Sequence, residues 1–136
     1  NKGVGVGSSG TSNTQGGAIV VFPEGASATI TDSTFTDNSA NLGGAVSLPG
    51  IDSNSIIDNC TFTDNTAAAN GGAVYWRGHH GDIYDSNFTN NTALGLNPGP
   101  YGNIGDGGAV DDDVALAALV AFYGVDTDSV GVGRQV

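Results

Sequence analysis

The stretch Thr34-Phe35-Thr36-Asp37-Asn38-Ser39-Ala40-Asn41-Leu42-Gly43-Gly44-Ala45-Val46 returns as Thr61-Phe62-Thr63-Asp64-Asn65-Thr66-Ala67-Ala68-Ala69-Asn70-Gly71-Gly72-Ala73-Val74. A third copy opens at Asn87-Phe88-Thr89-Asn90-Asn91-Thr92-Ala93. The Gly-Gly-Ala-Ile/Val element begins at Gly16, Gly43, Gly71 and Gly107, with spacings of 27, 28 and 36 residues. Five residues before each Phe stands an isoleucine: Ile30, Ile57 and Ile83. A fixed period of this size is the mark of a solenoid, because one repeat cannot bury its own apolar face and needs a stacked neighbour.

Each period holds three short apolar stations: Gly-Gly-Ala-Ile/Val, Ile and Phe. Asp, Ser, Asn, Thr and Gly separate them, and no helical pattern of useful length intervenes. The expected fold is therefore all-β: a right-handed parallel β-helix of three to four rungs, with three short strands per rung about 4.7–4.9 Å above the last.

Alternation along a strand turns Phe35, Phe62 and Phe88 inward as one column. Ser33, Cys60 and Ser86 form a small column two residues earlier, with Cys60 as a buried Ser-sized residue. Asn38, Asn65 and Asn91 form an asparagine ladder at the turn, where Asn tolerates the left-handed backbone a corner needs. The Gly pairs supply another sharp corner. The long third period places its extra residues in 94–106, a loop bulging from one corner.

Composition narrows the function. Gly supplies 23 of 136 residues, without the three-residue period of collagen. Fourteen acidic against three basic residues give a net charge of −11, which disfavours nucleic acid and anionic membranes as partners. No apolar run approaches the ~18 residues of a membrane span, so direct insertion is not expected. The chain contains no Met and starts at Asn1, as a mature or partial chain would. The lone Cys60 fixes no redox compartment. Three segments are expected: 1–15, rich in Gly and Ser; 16–110, the repeats; and 111–136, a C-terminal cap helix and tail. In the last, Asp111-Asp112-Asp113 precede the Ala/Leu/Val-rich run to Tyr123, the composition of a helix start.

The Gly-Gly-Ala-Ile/Val and Phe-x-x-Asn elements over 16–110 resemble the repeats of polymorphic outer membrane proteins and related β-helical adhesin-like surface proteins. That resemblance implies a right-handed parallel β-helix displayed extracellularly or on the cell surface and used in adhesion. Those proteins are long and end in a membrane barrel, which this chain does not show.

Several residues are candidates for chemistry. Tyr75, Trp76, Arg77, His79, His80 and Asp82 form the least repeat-like segment; aromatics beside Arg and Asp suit a glycan. Adjacent histidines on an extended chain point to opposite sides, so one metal rarely takes both. Asp37 and Asp64 stack one rung apart, with Asn90 continuing the column, and Ca²⁺ is the one cofactor such repelling carboxylates could attract. Asp111 to Asp113 could draw a cation too, but a helix start explains them. Asn59, Asn87 and Asn90 begin Asn-x-Thr sequons, with Asn90 at the outer turn best placed for a glycan. No paired acid–base or basic cleft stands out from the repeat, so an enzyme is not expected.

Two further roles come from the repeat itself. Thr34-Phe35-Thr36 and Thr61-Phe62-Thr63 put threonines outward on both sides of the Phe, and such columns look like the ice-binding face of β-solenoid antifreeze proteins. Open strand edges at the ends favour head-to-tail stacking into a filament. Val4-Gly5-Val6-Gly7 and Val130-Gly131-Val132-Gly133 are candidate contact strands. The leading expectation is a structural or adhesive surface module that binds itself, other surface proteins or glycans. The alternatives are an ice-binding solenoid and a carbohydrate-binding or polysaccharide-processing β-helix.

Overall fold

The computed structural model describes residues 15–21, 26–48, 54–76, 80–95, 110–112, 120–123 and 132–134. The first turn of chain lays down β1 (Ile19–Val20), β2 (Thr29–Thr31), β3 (Thr34–Thr36) and β4 (Ser39–Leu42). The second lays down β5 (Val46–Leu48), β6 (Asn54–Asp58), β7 (Thr61–Thr63) and β8 (Thr66–Asn70). The third gives β9 (Val74–Trp76), β10 (His80–Tyr84), β11 (Asn87–Thr89) and β12 (Thr92–Ala93). Then come β13 (Val110–Asp112), β14 (Val120–Tyr123) and β15 (Val132–Arg134).

Strands pair only with their counterparts one turn away, always parallel. The four sheets run β1-β5-β9-β13-β15, β2-β6-β10-β14, β3-β7-β11 and β4-β8-β12. Register holds the columns in line: Ile30 with Ile57 and Ile83, Phe35 with Phe62 and Phe88, Val46 with Val74 and Val110. This is a parallel β-helix.

Each of the first three turns carries four strands, one more than the three apolar stations predict. The fourth follows the asparagine and contains Ala40, Ala67 or Ala93. Alanine is too small to stand out as an apolar station, yet Ala40 and Ala67 are buried in the stack.

The Phe column is a continuous aromatic stack. Ring centroids lie 4.8 Å apart between Phe35 and Phe62 and 4.7 Å between Phe62 and Phe88, with interplanar angles of 11° and 2°. Rung spacing dictates this face-to-face arrangement, since identical side chains in register repeat at the strand separation.

Beside it runs the asparagine ladder. The Asn38 backbone N–H and Nδ2 both donate to Asn65 Oδ1, at 3.0 and 2.9 Å. Asn65 repeats the pattern onto Asn91 Oδ1, at 3.1 and 2.9 Å. The remaining amide hydrogens go back to the Phe carbonyls: Asn65 Nδ2 to Phe35 O and Asn91 Nδ2 to Phe62 O, both at 3.0 Å.

The corners differ from the sequence expectation in a specific way. The ladder asparagines are not the left-handed residues; the residue before each of them is. Asp37, Asp64 and Asn90 have φ of 55°, 55° and 54°, and Asp32, Asn59 and Asp85 make a second such column at 50°, 50° and 42°. Short polar side chains that hydrogen-bond locally tolerate this region. Gly16, Gly43 and Gly71, each three residues before the aligned Ile19, Val46 and Val74, hold a third corner at φ 60–67°. At Gly43 a Cβ would run into the Val46 carbonyl, so only glycine fits.

The C-terminal segment also departs from expectation. The sequence predicts a helix over 114–123 behind the three aspartates; Val110–Asp112 and Val120–Tyr123 are strands, 113–119 lie outside the described residues, and no helix occurs among the described residues. Val110 continues the column of Val46 and Val74, and Phe122 stands beside Ile83 in the isoleucine column. Exposed edges of β9 and β10 template these two segments, and tertiary pairing overrides the local helix propensity at Val120–Tyr123. The solenoid thus extends past Val110, with β15 pairing β13. Val132-Gly133, read as an intersubunit contact, lies in that strand; Val4 to Gly7 lie outside the described residues.

Candidate functional site

The aromatic segment is the first candidate. Trp76 occupies the inward position that Leu48 holds one rung earlier. It is 0% exposed, and Tyr75 is 6% exposed. The indole packs against Gly81, where a Cβ would overlap the six-membered ring. Glycine at 81, opposite Ser55, is thus the partner of tryptophan at 76. Trp76 therefore serves the core and offers no stacking platform to a sugar. Its Nε1 and the Asn70 Oδ1 are buried without hydrogen-bond partners. His80 opens β10, with its backbone paired to Asn54. Asp82 is half-buried on the outer face and accepts a hydrogen bond from the Tyr84 hydroxyl at 3.3 Å. Arg77 and His79 lie outside the described residues. The six-residue constellation is thus not assembled as one exposed patch: two members are core.

The acidic columns have a backbone explanation. Asp37 and Asp64 are exposed corner residues in the left-handed region. In the neighbouring corner, Asn59 Nδ2 donates to Asp32 Oδ1 at 2.6 Å, so an amide separates Asp32 from Asp85 along the column. Among the described residues no three His, Cys, Asp or Glu side chains group to hold a metal.

Cys60 is buried, as the Ser33–Cys60–Ser86 column requires. Its backbone N–H donates to Ser86 Oγ at 3.0 Å. Its thiol points to the carbonyls of Asp58 at 3.2 Å and Ile30 at 3.5 Å. Burial pushes the thiol pKa up, while backbone hydrogen bonds near Ser33 and Asp58 pull it the other way. A protonated, enclosed thiol is a poor nucleophile.

The sequon asparagines Asn59, Asn87 and Asn90 are all exposed, including the two next to core residues, because Cys60 and Phe88 point inward while their neighbours point out. Asn59 has its amide engaged by Asp32.

The outer face of the Phe sheet is the most regular surface described. Thr34 and Thr61 with Asn87 form one column, and Thr36, Thr63 and Thr89 form the other, in register across β3, β7 and β11. All six are exposed or half-exposed. A third hydroxyl column, Ser39, Thr66 and Thr92, follows on the next sheet. Its signal was present in the sequence as the residue after each ladder asparagine, hidden by the assumption of three strands.

No helix among the described residues is long and apolar enough to cross a membrane. A family model described as a right-handed beta helix region matches residues 3–103. No curated protein and no solved structure matches the chain significantly.

Proposed function

The chain belongs to the right-handed β-helix family, and from that premise we propose that it is a non-catalytic surface module: a rigid extracellular solenoid that presents the inserted segment of its long third period to a glycan or protein partner. β-Helix domains occur in both enzymes and non-enzymes, so the fold alone assigns no chemistry. The observation that carries the reading is the register across the long third period. Val74 pairs with Val110, 36 residues on, just as Val46 pairs with Val74, 28 residues on. The extra chain lies in sequence between β12 and β13, where 96–109 fall outside the described residues, and β13 still stacks on β9 in register. Such an insertion costs the scaffold little and concentrates variation at one place on a rigid support.

Loss of Trp76 and Tyr75 to the core moves the recognition role from the aromatic segment to this inserted one. Replacing residues 97–105 with Gly-Ser should leave the melting curve nearly unchanged and abolish adhesion to immobilised glycans or to cells. Retained adhesion in the folded variant refutes the assignment. A glycan on Asn90 fits the same external setting, and mass spectrometry of the protein from its native source tests it.

Self-association is the second partner class. Among the described residues the aromatic stack ends at Phe35 and Phe88, which are only 1% and 8% exposed. An end-on filament through this column must displace whatever covers them, so a discrete module is favoured. Sedimentation over a hundredfold concentration range distinguishes the two.

A further inference from the structure

We infer that the outer face of the β3-β7-β11 sheet binds an ordered water lattice, the surface of ice. The inference is independent of the adhesive segment and uses a different part of the molecule.

Binding a lattice differs from binding a molecule. No single contact is strong, so the protein must offer many weak contacts at once, at fixed spacing, on a surface that does not relax. Three features of this face meet that demand. The first is chemistry. Five of its six outward positions are threonine: Thr34, Thr36, Thr61, Thr63 and Thr89. Each carries a hydroxyl that can join a water network and a methyl group that excludes loose water. Its β-branched side chain is stiff at χ1.

The second is spacing. Along the solenoid the columns repeat with the rungs, 4.8 and 4.7 Å by the ring centroids beneath. Along a strand, residues two apart are separated by about 6.6 Å. The result is a two-by-three grid of polar–methyl units. The third is regularity and rigidity. The Phe rings under the grid stack in parallel, with interplanar angles of only 11° and 2° from rung to rung. The Phe stack and the Asn38–Asn65–Asn91 ladder hold the sheet from inside, so little entropy remains to be lost on binding.

The face lacks features of other ligands. Its six outward positions carry no aromatic platform for a sugar and no charge. Asn87 interrupts the first column and is the weak point of the grid.

The test is ice shaping and thermal hysteresis with the purified chain, measured on four proteins. The parent should facet ice crystals and depress the growth temperature. Thr63→Lys, at the centre of the grid, should lose that activity. Thr31→Lys, on the exposed side of a different sheet, should keep it. Asn87→Thr, which completes the column, should raise it. Circular dichroism melts establish that each is folded; if Thr63→Lys is not, Thr89→Lys on the edge strand takes its place. Round, unshaped crystals with the folded parent overturn the proposal. So does activity that survives Thr63→Lys, or that Asn87→Thr leaves unchanged.

Discussion

Replacing Asn65 with Ala removes four hydrogen bonds from the middle of the ladder. Asn65 Oδ1 accepts from both the backbone N–H and the Nδ2 of Asn38, and its own Nδ2 donates to Asn91 Oδ1 and Phe35 O. The residue is fully buried. In the variant, two Asn38 donors lose their acceptor in a place water does not reach, and each orphaned group costs about 1–3 kcal/mol. With the small cavity added, the loss comes to about 3–5 kcal/mol, at the upper end for single substitutions. The half-exposed end of the ladder supplies the control. Asn91→Ala also deprives two donors, the N–H and Nδ2 of Asn65, but water can replace the missing oxygen there, so about 1–2 kcal/mol is expected. The assay is urea unfolding followed by far-ultraviolet circular dichroism and by intrinsic fluorescence, with coincident transitions required. A loss below about 1 kcal/mol at Asn65, or one no larger than at Asn91, refutes the claim that the ladder stabilises through burial. Asn65→Asp separates geometry from charge. It keeps an acceptor for Asn38 but buries a carboxylate, which raises its folded pKa above the unfolded value. Its stability should be greatest below the ordinary carboxylate range, about 4, and fall as pH rises through the folded pKa.

Three other perturbations test separate parts of the fold. Gly81→Ala places a methyl inside the Trp76 ring and should destabilise by several kcal/mol; adding Trp76→Leu, the residue of the preceding rung, should recover much of it, and additive losses in the double variant refute the pairing. Cys60 should resist alkylation in the folded protein and react on unfolding; because burial raises its thiol pKa, stability should decline as pH climbs past about 8.5, and Cys60→Ser, matching Ser33 and Ser86, should remove that decline at a cost under about 1 kcal/mol. Asp64→Asn keeps a left-handed-tolerant side chain and should melt at or above the parent temperature with or without a chelator; a calcium-dependent melting point that the substitution abolishes refutes the corner reading.

The sequence exposes what repeats and conceals what is unique. The Ile, Phe and Asn columns were readable because each rung imposes the same physical demand on the same offset. The division of labour among the polar corners was legible but misread. A ladder position needs a donor and an acceptor in one side chain, so all three residues there are asparagine. A left-handed corner asks only for a short polar group, so Asp37, Asp64 and Asn90 mix freely. Trp76 misled because aromatics next to Arg and His suggest a binding site, although its offset from Gly-Gly-Ala equals that of the inward Leu48. What identifies it as core is Gly81, in the column of Ser55, and that link appears only when the consecutive strands β9 and β10 are brought into side-chain contact. The strand at Val120–Tyr123 was hidden for a different reason: local composition favoured a helix, and the edge of β10 decided otherwise.

The asparagine ladder has a direction. Asn38 and Asn65 each give a backbone N–H and one amide hydrogen to the side-chain oxygen of the rung that comes later in the chain, while the second amide hydrogen of Asn65 and of Asn91 returns to a Phe carbonyl of the rung that came earlier. A chain that emerges amino-terminus first, from a ribosome or through a translocation pore, therefore presents a rung whose donors stay unmet until the next rung arrives. Growth is zipper-like: every finished turn is an incomplete site for its successor, and the newest turn is always the least secure. Assembly of such a solenoid is set by the order of synthesis as well as by the final packing, and an arrested chain should fray from its most recent turn and no deeper.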